Sequence, residues 1–298
     1  MTWRDFGILL RQASNEWLAD GAPRLGAAIA FYTVFSLAPV LVIAVSLAGI
    51  VFGDEAARGQ IAHQIDELVG PEGGKAIQAM LAGAKFPSTG IVATVFGVAA
   101  LLIGAIGVFG ELQDSMNTIW GVKPRPQQTW WQLIRYRLLS FVMVLVIAFL
   151  LLVLLVASAV TSAALSWIRD WEMVWLSSAI DFTLSILTIT ALFATIYKVL
   201  PDAQIAWRDV WLGAAVTALL FVAGKWLIGL YLGRSAVASA YGAAGSLAVL
   251  LLWLYYSAQI FLFGAELTQV YANRFGTGVR PSYQAADADT LSCDSAKT

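Results

Sequence analysis

Charged side chains set inside or at the ends of long apolar runs are costly and often functional, and this chain carries several. Lys225 interrupts the stretch Val210–Leu232, which is otherwise free of charge, and Asp181 lies near the start of Ser177–Tyr197. At about 1.5 Å of rise per residue the two fall within a few ångströms of one depth, so they are able to pair. The pair reads either as a structural staple, or a lysine that snorkels outward, or as a cationic spot for an anionic head group. Glu111 and Glu266 each end another apolar run, Glu111 on the stripe of small residues Gly97, Ala100, Gly104 and Gly107. Both carboxylates are expected at one level, where Arg24, Arg137 and Lys198 are available cations. A salt-bridge network at the membrane surface is the plain reading, and a gate or proton-coupling site the sharper one.

Pro39 sits in the middle of the first apolar run and removes one helical hydrogen bond, freeing the carbonyl of Phe35. Tyr32, Thr33 and Ser36 precede it on the same helix. Two readings stay open: a structural kink alone, or a kinked helix that lines a polar cavity. In the second, a cavity between the first, second, fifth and sixth helices holds an amphiphile head group, with Tyr32 and Ser36 lining it and Lys225 meeting the negative charge.

Catalytic chemistry has little to work with. The chain holds one histidine, His63, and one cysteine, Cys293, whereas hydrolytic metal sites need clustered His, Asp or Glu ligands. No cofactor, metal or catalytic residue is expected, and no Gly-rich loop ending in Lys-Ser/Thr is present to bind a nucleotide. The net charge of −1 gives no global field to recruit a polyanion, and the basic, aromatic platform that nucleic acid requires is missing from the short loops.

The elements that must position these residues follow from composition. Of 298 residues, 59% are hydrophobic and 12% charged, against about 25% charged in a soluble domain. Such a chain cannot cover a water-facing surface. A helix needs about 20 apolar residues to cross the hydrocarbon, and six stretches qualify, at about 28–52, 88–110, 138–160, 177–197, 210–232 and 243–265. The third apolar run continues to Trp167, so it tilts or leaves the bilayer near Val160. The runs are continuous rather than alternating, which excludes a closed barrel. The expected fold is all-α, a six-helix membrane bundle. Lys and Arg number twelve on one side of these spans and five on the other, with Lys225 inside. The positive-inside rule places both termini in the cytoplasm. Ten of the twelve tryptophans flank the spans as an interfacial belt, Trp226 and Trp253 being the exceptions. The first span reads as an uncleaved signal anchor.

Residues 1–24 read as an amphipathic helix, with Trp3, Phe6, Leu10, Ala13 and Trp17 on one face and Arg4, Arg11, Gln12, Asn15 and Glu16 on the other. It lies on the membrane surface or packs on the cytoplasmic end of the bundle. Two more amphipathic helices are expected outside, within about 55–85, one carrying Ile61, Ile65 and Leu68 and one carrying Ile77, Met80, Leu81 and Ala84. The membrane domain then spans 25–272, and the polar tail 273–298 is expected to be disordered.

Several motifs resemble the YihY/BrkB family. They are Ala27-Ala28-Ile29-Ala30-Phe31-Tyr32 with Phe35-Ser36-Leu37-Ala38-Pro39, Asn117-Thr118-Ile119-Trp120, Leu200-Pro201, Trp211-Leu212-Gly213-Ala214, Tyr241-Gly242, Trp253-Leu254-Tyr255 and Gly264-Ala265-Glu266. The resemblance covers roughly residues 15–272 and implies a bacterial inner-membrane protein with six helices. Members have carried the label ribonuclease BN, a misassignment, and others the label of virulence factors for serum resistance. Some are linked to export of lipid precursors. The function expected is therefore transport of a lipid or other amphiphile, with membrane lipids and an envelope protein as partners and no nucleic acid. A small-ion or solute transporter and a membrane scaffold are the alternatives.

Overall fold

The computed structural model describes residues 3–52, 78, 107–124, 174–234, 245–282 and 285–287. The third span and nearly all of the second and of the outer amphipathic helices lie outside the described residues. Helix dominates what is described. Helix α1 is Trp3–Ala19 and α2 is Ala22–Phe52. Residues 107–119 are helical. Helix α3 is Val174–Val199, α4 is Trp207–Arg234 and α5 is Gly245–Phe275. The 31 residues of α2 and of α5 make rods of about 46 Å each. Backbone helix continues through Pro39.

Two of these helices hold windows, Trp207–Leu227 and Leu247–Phe275, that are long and apolar enough to cross a membrane. Shorter apolar helical stretches run over Ala22–Leu37 and Ser185–Val199. Continuous apolar sequence favours helix here because every backbone N–H and C=O is then satisfied inside its own segment.

Strand among the described residues is confined to two small antiparallel pairs. Val122–Pro124 (β1) pairs with Ala285–Asp287 (β4), and Ala203–Gln204 (β2) with Arg280–Pro281 (β3). They correct the expectation of a tail disordered from residue 273, since α5 runs to Phe275 and two strands follow. The cause is local. The buried carboxylate of Asp209, in the first turn of α4, accepts from the backbone N–H and the hydroxyl of Thr277, both at 3.0 Å. Gly278, with φ +75°, turns the chain and donates to the carbonyl of Ala272 at 3.0 Å. The N–H of Ser282 then reaches the carbonyl of Asp202 at 2.9 Å. Polar composition argued for disorder, but these backbone partners order the segment.

The chain divides into two compact units. One comprises Met1–Ala22, Gln113–Val222 and Ile260–Thr298, the other Pro23–Leu112 and Ala223–Gln259. The first unit is held by α1, α3, α4 and α5. Leu9 and Ala13 of α1 are buried with Leu267 and Val270 of α5, and Leu212 and Val216 of α4 pack against them. The opposite face of α1 leaves Ile8 and Leu18 exposed beside Arg4 and Arg11. The helix therefore docks on the bundle and still offers apolar side chains outward.

Hydroxyl groups stitch α3, α4 and α5 together. Tyr197, fully buried, donates to the carbonyl of Phe261 at 2.7 Å and lies 2.9 Å from Thr217 Oγ1. Thr217 donates to the carbonyl of Gly213, and Thr268 to that of Gly264, both at 2.7 Å. Gly213 and Gly264 make this approach possible. A Cβ on Gly213 would lie 2.8 Å from the carbonyl oxygen of Gly264, and one on Gly264 would lie 2.9 Å from Thr217 Cβ. Small residues let apolar helices close on one another, and polar side chains then find partners at that range. In the second unit, Gly26 lies against the side chain of Gln259, and the ring of Phe31 packs tilted against that of Phe35 at 4.8 Å.

Gly264→Ala should lower the thermal unfolding midpoint in detergent by the equivalent of about 1–3 kcal/mol, the usual cost of overpacking. Gly7→Ala on α1, where an added Cβ meets nothing within 4 Å, should leave the midpoint unchanged or raise it. Equal responses to the two substitutions would show that the helices do not pack through Gly264.

Candidate functional site

In α2, Thr33 Oγ1 donates to the carbonyl of Ile29 at 2.7 Å and Ser36 Oγ to that of Thr33 at 3.1 Å. Both hydroxyls are therefore spent on their own helix. Ser36 is buried, while Tyr32 is exposed, edge-on to Phe31 at 5.8 Å. Lys225 is exposed on α4 and makes no hydrogen bond or ion pair among the described residues. Trp226, 69% exposed, and Leu227 flank it, with Leu219 and Leu220 exposed earlier on the same helix. No described contact joins Tyr32, Ser36 and Lys225. The side chains of Pro39 and Asp181, and all of Arg137, lie outside the described residues.

Glu111 is half-buried and engaged with a neighbour, and Arg24 is exposed. Glu111 and Arg24 fall in the second compact unit and Glu266 in the first. Lys198 is committed elsewhere, donating to the carbonyl of Ile205 in the turn between α3 and α4.

Glu266 on α5 is 0% exposed, and neither carboxylate oxygen meets a hydrogen-bond donor among the described residues. Among the described residues the charged groups beside it are two acids, Asp20 and Glu16, while Arg137, one of the cations expected at this level, lies outside them. Packing explains this. Leu9 and Ala13 seat α1 on α5 through Leu267 and Val270, and the same register carries the C-terminal end of α1 toward Glu266. The Asp20 carboxyl comes within hydrogen-bonding reach of Glu266. Burial pushes the Asp20 carboxyl above its ordinary range and the charge of Glu16 adds to that, while the contact with Glu266 works the other way. Glu16 itself accepts from Gln12 at 2.8 Å. Gly21, with φ +67°, ends the α1 turn directly after Asp20. Among the described residues no group of three or more His, Cys, Asp or Glu is arranged to hold a metal.

Sequence reasoning did not bring Asp20 and Glu16 to Glu266. The spacing Glu16–Asp20, one helical turn, was the available signal, but only the seat of α1 on α5 connects it to a residue some 250 positions later. A second cluster was also missed. Asp202, in the Leu200-Pro201-Asp202 turn, accepts from Asn117 Nδ2 at 2.8 Å and from Gln113 Nε2 at 3.3 Å. Its backbone N–H donates to Asn117 Oδ1 at 2.8 Å. This reciprocal pair fastens the helical residues 107–119 to the α3–α4 turn. Gly121, with φ +63°, ends that helix.

Long apolar helices of this kind belong to a helical membrane protein. The chain belongs to the BrkB family: the family described as Virulence factor BrkB matches residues 13–289, in agreement with the motifs. It is 28% identical over 261 residues to a UPF0761 membrane protein of Azotobacter vinelandii, a match covering 86% of this chain and 61% of that one. It is 27% identical over 266 residues to one of Alcanivorax borkumensis, covering 89% and 59%. A relative in Pseudomonas aeruginosa is 26% identical over 258 residues, covering 86% and 61%. The chain thus spans about three fifths of the length of the curated relatives it matches. No solved structure matches it.

Asp202→Ala removes the acceptor of both side-chain amides and leaves the buried Asn117 group unpaired. It should cost about 1–3 kcal/mol, read as a lower unfolding midpoint in detergent. A midpoint equal to that of the parent protein would show that the turn is not held by this pair.

Proposed function

We propose that this protein moves a lipid or other anionic amphiphile across the bacterial inner membrane, in a bundle of six spans with both termini in the cytoplasm, and that it is not an enzyme. The observation that carries the reading is Lys225. It stands exposed among Trp226, Leu227, Leu219 and Leu220 on an apolar helix long enough to span. A charge set within a span is costly, up to about 2.5–3.5 kcal/mol at the centre and less toward the ends. An anionic head group at the bundle surface offsets that cost. The exposed Tyr32 of α2 supplies an amphipathic ring of the kind that sits at a lipid interface. With no nucleotide-binding loop in the sequence, the energy comes from an ion gradient, a partner or downhill flow.

Two experiments test this. Reporter fusions after residues 70, 170 and 238 should read outside, and fusions after 125, 204 and 285 inside. A cytoplasmic signal at 70 would invert the orientation. Purified protein in liposomes should bring a fluorescent anionic phospholipid from the inner leaflet within reach of an external quencher faster than empty vesicles do. Lys225→Ala should slow exchange about tenfold, the equivalent of ~1.4 kcal/mol of head-group contact, and Lys225→Arg should retain it. Exchange no faster than in empty vesicles would refute the proposal.

A further inference from the structure

Glu266 poses a chemical problem that the transport reading leaves unsolved. Its carboxyl is fully buried, and neither oxygen has an N–H or O–H partner among the described residues. Among the described residues, the charged groups facing it are Asp20, just beyond α1, and Glu16, on α1. Among the described residues no basic side chain answers them, and none form a metal-holding group. Two ionised carboxylates in contact repel, and a buried, unpaired charge is severely destabilising. One proton placed between them converts repulsion into a charge-assisted hydrogen bond, O–H to O⁻. One proton is thus enough to make this contact tenable.

We propose that Asp20 and Glu266 form a proton-operated latch, in which one shared proton holds α1 on α5 and its loss releases the helix. The apolar seat is small, with Leu9 and Ala13 against Leu267 and Val270, so the carboxyl contact at its edge weighs heavily in the balance. Gly21, at φ +67°, stands directly beside the latch and separates the end of α1 from Ala22, the first residue of α2. It provides the turn at which α1 pivots. Ile8 and Leu18, exposed on the far side of α1, give the freed helix apolar anchors for the membrane surface.

The sign follows from linkage. The docked pair binds a proton more tightly than the two carboxyls do when apart, so docking is fully supported at pH below the ordinary carboxylate range. That support is lost as pH rises through the raised range of the docked pair. The pair titrates as a unit, and neither residue alone owns the transition. The latch requires no particular cargo, so its failure and that of lipid movement are separate results. Only the compartment whose pH it senses, the cytoplasm, rests on the orientation proposed above.

The test is a distance measurement on the full chain in detergent and in liposomes. With Cys293→Ser as background, Asn15→Cys and Arg274→Cys place spin labels on exposed positions of α1 and α5. Pulsed electron resonance then follows the separation from about pH 5 to about pH 9, a window that covers ordinary and raised carboxyls. The expected result is one short distance at the acid end and a longer, broader population that grows with pH. Glu266→Gln supplies a neutral amide that donates to Asp20 without titrating, so it should hold the short distance throughout. Asp20→Asn should do the same from the other side, and it decides the matter if Glu266→Gln does not fold. A distance in the parent protein that is independent of pH would overturn the latch. So would an unchanged pH response in the amide variants.

Discussion

A polar group in apolar surroundings must find a partner, and the architecture of this protein is organised by that demand. Tyr197 shows it in miniature. Its hydroxyl is buried where three helices meet and donates to the carbonyl of Phe261, with the hydroxyl of Thr217 beside it. Those contacts exist because Gly213 and Gly264 let the backbones come close. Hydrophobic attraction between helices is weak in hydrocarbon, so close packing and such hydrogen bonds fix the arrangement. The same demand orders the C-terminal segment, where the Asp209 carboxylate and the Asp202 carbonyl take N–H and hydroxyl groups of Thr277 and Ser282 that a polar tail would otherwise present to water.

Lys225 and Glu266 find no such answer among the described residues, and they carry the functional account. Lys225 has no protein partner among the described residues and stands among exposed tryptophan and leucine; its natural complement is the head group of an amphiphile. Glu266 faces other acids; its natural complement is a proton. The first proposal concerns what the bundle moves, the second how its N-terminal helix is held. They draw on opposite charges and on different compact units.

Much of the helical architecture was legible in the sequence, because a run such as Val210–Leu232 can satisfy its backbone only as a helix. The family was legible too, through motifs such as Phe35-Ser36-Leu37-Ala38-Pro39 and Gly264-Ala265-Glu266. Side-chain pairing was far less so. Arg24, Arg137 and Lys198 were the cations expected at the level of Glu266; Lys198 turns instead to the carbonyl of Ile205 and Arg24 is exposed, because periodicity assigns a residue to a depth but not to a neighbour. The seat of α1 on α5 depends on Leu9 and Ala13 fitting Leu267 and Val270, a match of shapes between segments far apart in the chain. The strands at Arg280–Pro281 and Ala285–Asp287 escaped for a related reason. Composition reports how little apolar surface a segment can bury, and these residues are held by backbone hydrogen bonds instead.

The central claim is that Lys225 meets an anionic amphiphile. Native mass spectrometry of protein released gently from its own membrane tests it without choosing a substrate in advance. The account predicts bound lipid of anionic class on the parent protein, and loss of that population in Lys225→Ala with the fold retained. Protein that emerges lipid-free, or carries the same anionic lipid after Lys225→Ala, would contradict it.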